Sequence, residues 1–379
     1  MNELRKNAEV DNLELFYDLI FAYAISRITT VLHLVHHETI SGLYLLEFFV
    51  MFFMFWTIWT YQTVLVNRFF RNTLQHRLFM VFDMFVVIIL SQSLNANFAA
   101  THLTFAGSTS VLLLSIAGQY WLRSRSLTDP KQLAVSRGLG LILLVSGVVG
   151  ALTIIPVGPY IVRASIYVLT MVFANIAPMF MYRQLTIFPA MFEHLTERYS
   201  LFTLLLFGEA IIAVASVIDV HHFNWLAIPF FIIIVALFTI YFTTYQHGID
   251  RHRKTAGILL INIHYFIFVG LDLVTAVTEL YLQRELHGPL FAGLVTLGLM
   301  CFLTGTMAMA AGYSKDTSSR ISWSNVGLAT VAALINGGVL WLFSEHVAVT
   351  LLILMLELLA VAGWWFIRLN GQKSENVIH

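Results

Sequence analysis

The fold is decided by the stretch LELFYDLIFAYAI, which occupies residues 13–25. It is apolar enough for a membrane-spanning helix, yet it carries Glu14 and Asp18. A helix needs about 20 mostly apolar residues to cross the hydrocarbon core of a bilayer. The apolar run extends to about residue 34, and no small-residue cleavage site follows it. We therefore predict a retained first transmembrane helix over residues 13–34, not a cleaved signal peptide.

The rest of the chain shares this apolar character. Of its 379 residues, 59% are hydrophobic and 11% are charged, whereas a soluble domain carries about 25% charged residues. Lipid is the solvent that accommodates such a chain. Lysine plus arginine and aspartate plus glutamate both number 21, so net charge gives no reason to expect a nucleic-acid partner. The single cysteine, Cys301, excludes an intramolecular disulfide and a CxxC metal site.

Further apolar runs of similar length follow one another along the chain. With the first, they lie at 13–34, 43–66, 77–97, 103–122, 138–157, 160–181, 200–219, 225–246, 256–280, 290–312, 323–343 and 347–368. When the N-terminus is placed inside, most basic residues, Arg198 included, fall in cytoplasmic loops; the exceptions are Arg27, Arg163 and Arg284. The sequence thus predicts an all-α polytopic membrane protein of about twelve transmembrane helices, with both termini in the cytoplasm.

The two halves of the chain repeat one another at shifts of 184 to 191 residues. The matched positions are Asp18 with Glu209, Asp83 with Asp272, His76 with His264, and Thr60-Tyr61-Gln62 with Thr244-Tyr245-Gln246. Residues 1–185 and 186–379 are therefore predicted to form two six-helix repeats. An even number of helices per repeat makes the repeats parallel, related by an axis along the membrane normal.

Five ionisable residues lie within the predicted helices: Asp18, Arg27, Asp83, Glu209 and Asp272. Ionisable groups in hydrocarbon are costly and usually face the bundle interior or water. They favour a polar pathway for a proton or small cation, with the acids at matching places in the two halves. The structural alternative is a buried ion pair that fixes helix register, for instance Arg27 with an acid of another helix.

Six other polar residues are secondary candidates for the same pathway. They are His76, His264, Tyr61, Gln62, Tyr245 and Gln246. Their alternative role is to bridge helices through hydrogen bonds. No HExxH, P-loop or GxSxG motif is present, so a catalytic role is less favoured than a non-enzymatic one and no cofactor or metal is predicted.

Two segments resemble the bacterial low temperature requirement protein A (LtrA) family. They are Leu13-Glu14-Leu15-Phe16-Tyr17-Asp18-Leu19-Ile20-Phe21-Ala22-Tyr23-Ala24-Ile25 and Glu197-Arg198-Tyr199-Ser200-Leu201-Phe202-Thr203, the latter followed by Leu206-Phe207-Gly208-Glu209-Ala210-Ile211. In that family an acid-bearing segment opens the chain and an "ER…LGE" segment opens the second half. The resemblance implies a multi-pass protein of the bacterial cytoplasmic membrane, linked by name to growth in the cold. It implies no defined biochemical activity.

A second likeness concerns helices one and seven. Phe16-Tyr17-Asp18-Leu19-Ile20-Phe21-Ala22-Tyr23-Ala24-Ile25-Ser26 is similar to the opening of the six-helix repeats of a lysosomal-type potassium channel family. In that family the first helix of each repeat lines the pore. Here Tyr17 replaces a serine, and the second half reads Phe207-Gly208-Glu209.

The leading hypothesis from these observations is a transporter or channel for a small cation or a proton-coupled solute. The alternatives are a lipid-active membrane enzyme or lipid-handling protein, and a membrane sensor or scaffold linked to cold growth. The bilayer is the one partner that the composition implies, and the oligomeric state stays open.

Overall fold

A computed structural model describes residues 10–69, 73–94, 98–219, 221, 223–314 and 322–370, without the side chains of residues 98, 99 and 370. Thirteen helices and one hairpin lie within these ranges. The helices are α1 (Asn12–Thr29), α2 (Gly42–Phe69), α3 (Leu74–Gln92), α4 (Phe98–Ser124), α5 (Pro130–Leu152), α6 (Tyr160–Phe180), α7 (Tyr182–Ile187), α8 (Phe192–Ser216), α9 (Ala227–Thr243), α10 (Ile258–Leu282), α11 (Gly288–Tyr313), α12 (Trp323–Phe343) and α13 (Val347–Asn370). The hairpin pairs β1 (Val35–His36) with β2 (Thr39–Ile40).

Eleven of the described helices are long and apolar enough to cross a membrane, judged by length and composition. These are all except α1 and α7. Helix α1 has 18 residues, but Glu14, Asp18 and Arg27 make it more polar than the others. The predicted character of a polytopic helical membrane protein is confirmed.

The first helix is shorter than predicted. Helix α1 ends at Thr29 instead of residue 34, and the β1–β2 hairpin follows. The hydroxyl groups of Thr29 and Thr30 donate hydrogen bonds to the carbonyls of Ser26 and Arg27. Such side-chain bonds to the preceding turn compete with helix continuation. At the other end, the Asp11 carboxylate accepts a hydrogen bond from the Leu13 amide and caps the first turn.

The end of α9 departs from regular α-helix. A π-helical turn, Thr244–Gly248, follows the helix directly and contains the Tyr245 and Gln246 pair that the repeat singled out. Trp365 of α13 donates its indole N–H to the Thr244 hydroxyl over 2.7 Å. This bond joins α13 to the turn in which the regular α-helical hydrogen-bond pattern of α9 ends. Single π-helical turns of this kind are rare and often occur at functional sites.

The chain packs into two compact units. The first comprises residues up to Val31, Leu46–Arg198 and His252–Ile258; the second comprises Leu32–Leu45, Tyr199–Arg251 and residues from Leu259 onward. Asp18 and Asp83 thus belong to the first unit, and Glu209 and Asp272 to the second. The predicted boundary near residue 185 stays a prediction.

Within the second unit, α10 and α11 approach each other closely at Gly270. A Cβ atom at Gly270 would lie 2.6 Å from the carbonyl oxygen of Gly298 and 2.6 Å from the amide nitrogen of Phe302. Glycine at such positions lets the backbones of membrane helices pack together. Asp272 lies two residues further along α10, so its place is set by a rigid helix pair.

Candidate functional site

The acid that opens the sequence argument, Asp18, is fully buried and paired with a cation. Arg198 of α8 donates from Nη2 to Asp18 Oδ1 over 2.9 Å and from Nε to Oδ2 over 3.2 Å. Trp59 of α2 donates its indole N–H to Oδ1 over 2.7 Å. All three side chains are about 1% exposed or less. The charge of Asp18 is therefore compensated within the first unit.

A second buried acid, Glu14, lies one turn before Asp18 on the same face of α1. Its Oε2 is 2.9 Å from His194 Nε2 and 3.8 Å from Arg198 Nη1. Glu14 and Asp18 therefore share Arg198, and the three residues with His194 form one buried charged cluster in the first unit.

The protonation pattern of His194 follows from the orientation of Asn67. The Asn67 Oδ1 accepts from the Met191 amide over 3.1 Å, and its Nδ2 donates to the Met191 carbonyl over 2.9 Å. These two bonds identify Nδ2 as the donor, so at 3.0 Å it donates to His194 Nδ1. His194 Nδ1 is thus an acceptor, and the ring proton sits on Nε2, where it is donated to Glu14.

Asp83 is the third buried acid of the first unit and has neutral partners. The Ser115 hydroxyl donates to Oδ1 over 2.5 Å, and Gln119 Nε2 donates to Oδ2 over 2.9 Å. Ser115 and Gln119 are one turn apart on α4, so one helix face supplies both donors. Within the described part of the chain, Asp83 forms no ion pair.

The predicted neighbours of Asp83 join the same set of hydrogen bonds. Gln62 of α2 donates from Nε2 to Gln119 Oε1 over 3.3 Å. His76 precedes Asp83 by two turns of α3, and its side chain lines the same cavity as Gln119 and interacts with it. Gln119, which the sequence argument missed, is therefore the residue that connects Gln62, His76 and Asp83.

The second unit contains Asp272 of α10 and Glu209 of α8, and the charge of Glu209 acts on Asp272. Asp272 is 5% exposed, its Oδ2 is buried, and it accepts no hydrogen bond from the described residues. It also forms no ion pair with them; the one charged group that acts on it is Glu209. Glu209 itself is half-buried. Two predicted acids thus lie within range of each other's charge, and neither has a basic partner in the part of the chain that the structure describes.

His264, the counterpart of His76, has a full set of hydrogen bonds. Its Nδ1 donates to the Leu260 carbonyl over 2.8 Å, and its Nε2 accepts from the Tyr241 hydroxyl over 2.9 Å. Because a carbonyl can only accept, the ring proton must lie on Nδ1. This arrangement supports a packing role for His264 between α9 and α10.

The repeated tyrosines have separate partners. Tyr61 of α2 donates its hydroxyl to the Ala174 carbonyl of α6 over 2.6 Å, which is the helix-bridging role considered for it. The Tyr245 hydroxyl accepts from Arg251 Nη1 over 3.2 Å, beyond the π-helical turn.

The buried ion pair considered for Arg27 is formed by another arginine. Arg27 is half-buried in the last turn of α1 and forms no salt bridge with any described residue. Arg198, by contrast, was predicted to lie in a loop on the cytoplasmic side, and its assignment to a loop is wrong. It lies inside α8 and is fully buried, because Asp18 and Glu14 compensate its charge. The family-like segment around Glu197-Arg198 was the signal that could have identified it.

Arg68 is a second buried arginine of the first unit. It is 4% exposed near the end of α2. Its guanidinium donates to the carbonyls of Leu185, Phe188 and Ala256, the last over 2.9 Å. These carbonyls belong to the segments that precede α8 and α10. Arg68 therefore ties both connecting segments to the first unit.

Within the described ranges, no group of three or more histidine, cysteine, aspartate or glutamate side chains is placed to hold a metal ion. A protein-family model described as "Bacterial low temperature requirement A protein (LtrA)" matches residues 9–363 of the chain. No curated protein and no solved structure matches it.

Proposed function

The chain belongs to the bacterial low temperature requirement A (LtrA) protein family, and from this premise we propose that it moves protons or small monovalent cations across the bacterial cytoplasmic membrane. The observation that carries the proposal is Asp272. This carboxyl is buried at membrane depth without a hydrogen-bond donor or a basic partner among the described residues.

The cost of such an arrangement supports a functional reading. A charged carboxylate at the centre of a spanning helix costs about 2.5–3.5 kcal/mol on insertion scales. An adjacent Glu209 adds repulsion when both residues are ionised. A bound proton or a bound cation removes both penalties. Asp272 and Glu209 together therefore provide a site that is stable when loaded and unstable when empty, which is what a carrier of positive charge requires.

The proposed internal repeat gives the acids of the two units different roles. Asp18 matches Glu209 in sequence, and its charge is neutralised by Arg198 and a tryptophan N–H. Glu209 has no such partner among the described residues. We assign Asp18 and Arg198 to anchoring the wall of the pathway, and Glu209 and Asp272 to carrying the ion. Asp83, held by neutral donors, is a second carrier position.

The same proposal includes the architecture that the structure leaves open. Two parallel six-helix repeats over 1–185 and 186–379, with both termini in the cytoplasm, would supply a polar route lined from both halves. The repeated acids and the distribution of basic residues support this arrangement.

The proposal is tested by ion flux into proteoliposomes that contain the purified full chain. An internal pH dye reports proton movement, and sodium and potassium are assayed separately. Asp272→Asn and Glu209→Gln remove one carboxylate each with little change in volume. We expect each variant to reduce the protein-dependent flux at least tenfold.

The matched control is Glu345→Gln, because the Glu345 side chain is 70% exposed and lies outside the spanning helices. It should keep the flux of the unaltered protein. Full flux in both Asp272→Asn and Glu209→Gln, or no protein-dependent flux of any of the three ions, would refute the proposal.

A further inference from the structure

The first unit contains a cavity that the acid pair does not explain. Its volume is about 160 Å³, which is room for roughly five water molecules at the liquid's share of about 30 Å³ each. It lies where α2 and α4 end and α3 begins, the side that the basic residues assign to the cytoplasm. It is lined by Leu65, Val66, Phe69, Thr73, Gln75, His76, Phe79, Gln119, Leu122, Arg123 and Ser126.

The described residues that line the cavity carry positive but no negative charge. Arg123 supplies a permanent positive charge, and no acidic residue is among the described residues that line the cavity. Thr73 adds a hydroxyl and Gln75 an amide to the lining. Arg123 Nη1 is positioned by its hydrogen bond of 2.9 Å to Ser126 Oγ, whose own proton is donated to the Arg123 carbonyl. An arginine fork with hydroxyl and amide donors suits a carboxylate or phosphate group. The same positive charge disfavours a cation.

The cavity lining also includes apolar side chains. Leu65, Phe69, Phe79 and Leu122 provide aliphatic and aromatic surface. A pocket with mainly apolar walls and a few convergent polar groups is the usual form of a small-molecule site. The ligand that fits has an anionic oxygen group and a short apolar part.

We propose that this cavity, which we call the Arg123 cavity, binds a small oxyanion, either a carboxylate or a phosphate. Gln119 lines the cavity and donates to Asp83, so the anion site and the buried acid share one side chain. If the proposed function holds, the cavity then holds the solute whose movement is coupled to a proton or cation at Asp83. Binding to the cavity does not itself depend on that function.

Two sources could supply the oxyanion: a free solute or the headgroup of an anionic lipid. Both present the same charged oxygens to Arg123, and the cavity lies at the ends of two apolar helices, α2 and α4, each long enough to cross a membrane. The test therefore uses sodium acetate and sodium phosphate as free probes, and phosphatidylglycerol as the lipid probe. Acetate and phosphate binding is measured by calorimetry on the full chain in a neutral detergent. Phosphatidylglycerol binding is measured in nanodiscs against phosphatidylcholine alone.

The test variant is Arg123→Gln, and Arg125→Gln is its matched control. Arg125 is exposed two residues away, stacked on Trp121 at 3.8 Å from the ring centroid, and it does not line the cavity. We expect Arg123→Gln to weaken binding of at least one probe tenfold or more. Arg125→Gln should stay within twofold of the unaltered protein.

If Arg123→Gln is not recovered as a folded protein, the proposal is tested with Leu122→Trp. This substitution fills the cavity but leaves the charge of Arg123 in place. We expect it to weaken probe binding by the same factor. Acetate or phosphate binding that depends on Arg123 identifies a solute site, and lipid binding alone identifies a headgroup site. Affinities that neither variant changes, or no binding of any probe, would overturn the proposal. Probe binding is measured without an ion gradient. A failure to bind therefore does not affect the flux test of Asp272, and a failure of the flux test does not affect the binding result.

Discussion

Replacement of Arg198 by leucine is the sharpest test of the buried charged cluster. The leucine keeps an apolar side chain in α8 but removes both hydrogen bonds to Asp18, the 2.9 Å bond from Nη2 and the 3.2 Å bond from Nε. Asp18 then keeps the Trp59 N–H as its remaining described donor. Glu14, 3.8 Å from Arg198 in the intact protein, loses its nearest arginine as well.

The magnitude follows from the number of bonds lost. A hydrogen bond to a charged group contributes about 1.5–3 kcal/mol, so two such bonds correspond to about 3–6 kcal/mol. Removal of one partner from a buried pair costs about 3–5 kcal/mol by direct comparison. We therefore expect Arg198→Leu to lower the free energy of unfolding by about 4 kcal/mol.

The assay is unfolding in mixed micelles, in which helix content is followed as the fraction of a denaturing detergent rises. Arg27→Leu is the matched control, because Arg27 forms no salt bridge with the described residues. The double variant Asp18→Asn with Arg198→Leu should recover part of the loss, since it removes the uncompensated charge. A loss within about 1 kcal/mol of that of Arg27→Leu would contradict the reasoning.

Two further substitutions test the surroundings of the proposed site in the same assay. Trp59→Phe removes the 2.7 Å bond to Asp18 and should cost about 1.5–3 kcal/mol; Trp56→Phe, one turn away on α2, leaves that bond intact and should cost less. Gly270→Ala places a Cβ 2.6 Å from backbone atoms of α11 and should cost about 1–3 kcal/mol by overpacking. Gly293→Ala, where a Cβ meets no atom within 4 Å, should be near neutral; equal costs for the two glycines would refute close packing as the cause.

Much of the fold was predictable because the length and the apolar composition of a run of residues identify a membrane helix. The apolar runs at 43–66 and 256–280 correspond to α2 and α10, since each had to satisfy its backbone internally while facing lipid. The helix ends were less predictable. Helix α1 stops at Thr29 through hydroxyl bonds to its own last turn, which are local choices that hydropathy does not reveal.

The candidate site was predictable in its acids but not in their partners. Asp18, Asp83, Glu209 and Asp272 stood out because acids are costly in hydrocarbon. Arg198 did not stand out, because a basic residue near a helix end is usually a loop residue. Gln119 and Ser115 gave no signal either, since uncharged polar residues are common in such helices.

By itself, the sequence determined that this chain contains membrane-spanning helices and which acids in them need an explanation, because both follow from the free energy of transferring each residue into lipid. The family resemblance came from two matching segments. Only the tertiary structure decided that Asp18 is paired with Arg198, while the one charged group acting on Asp272 is another acid, Glu209. Residues 180 positions apart along the chain become partners through helix packing. Whether a buried acid is neutralised or left to bind an ion depends on those partners, and no property of a residue or of its neighbours in sequence specifies them.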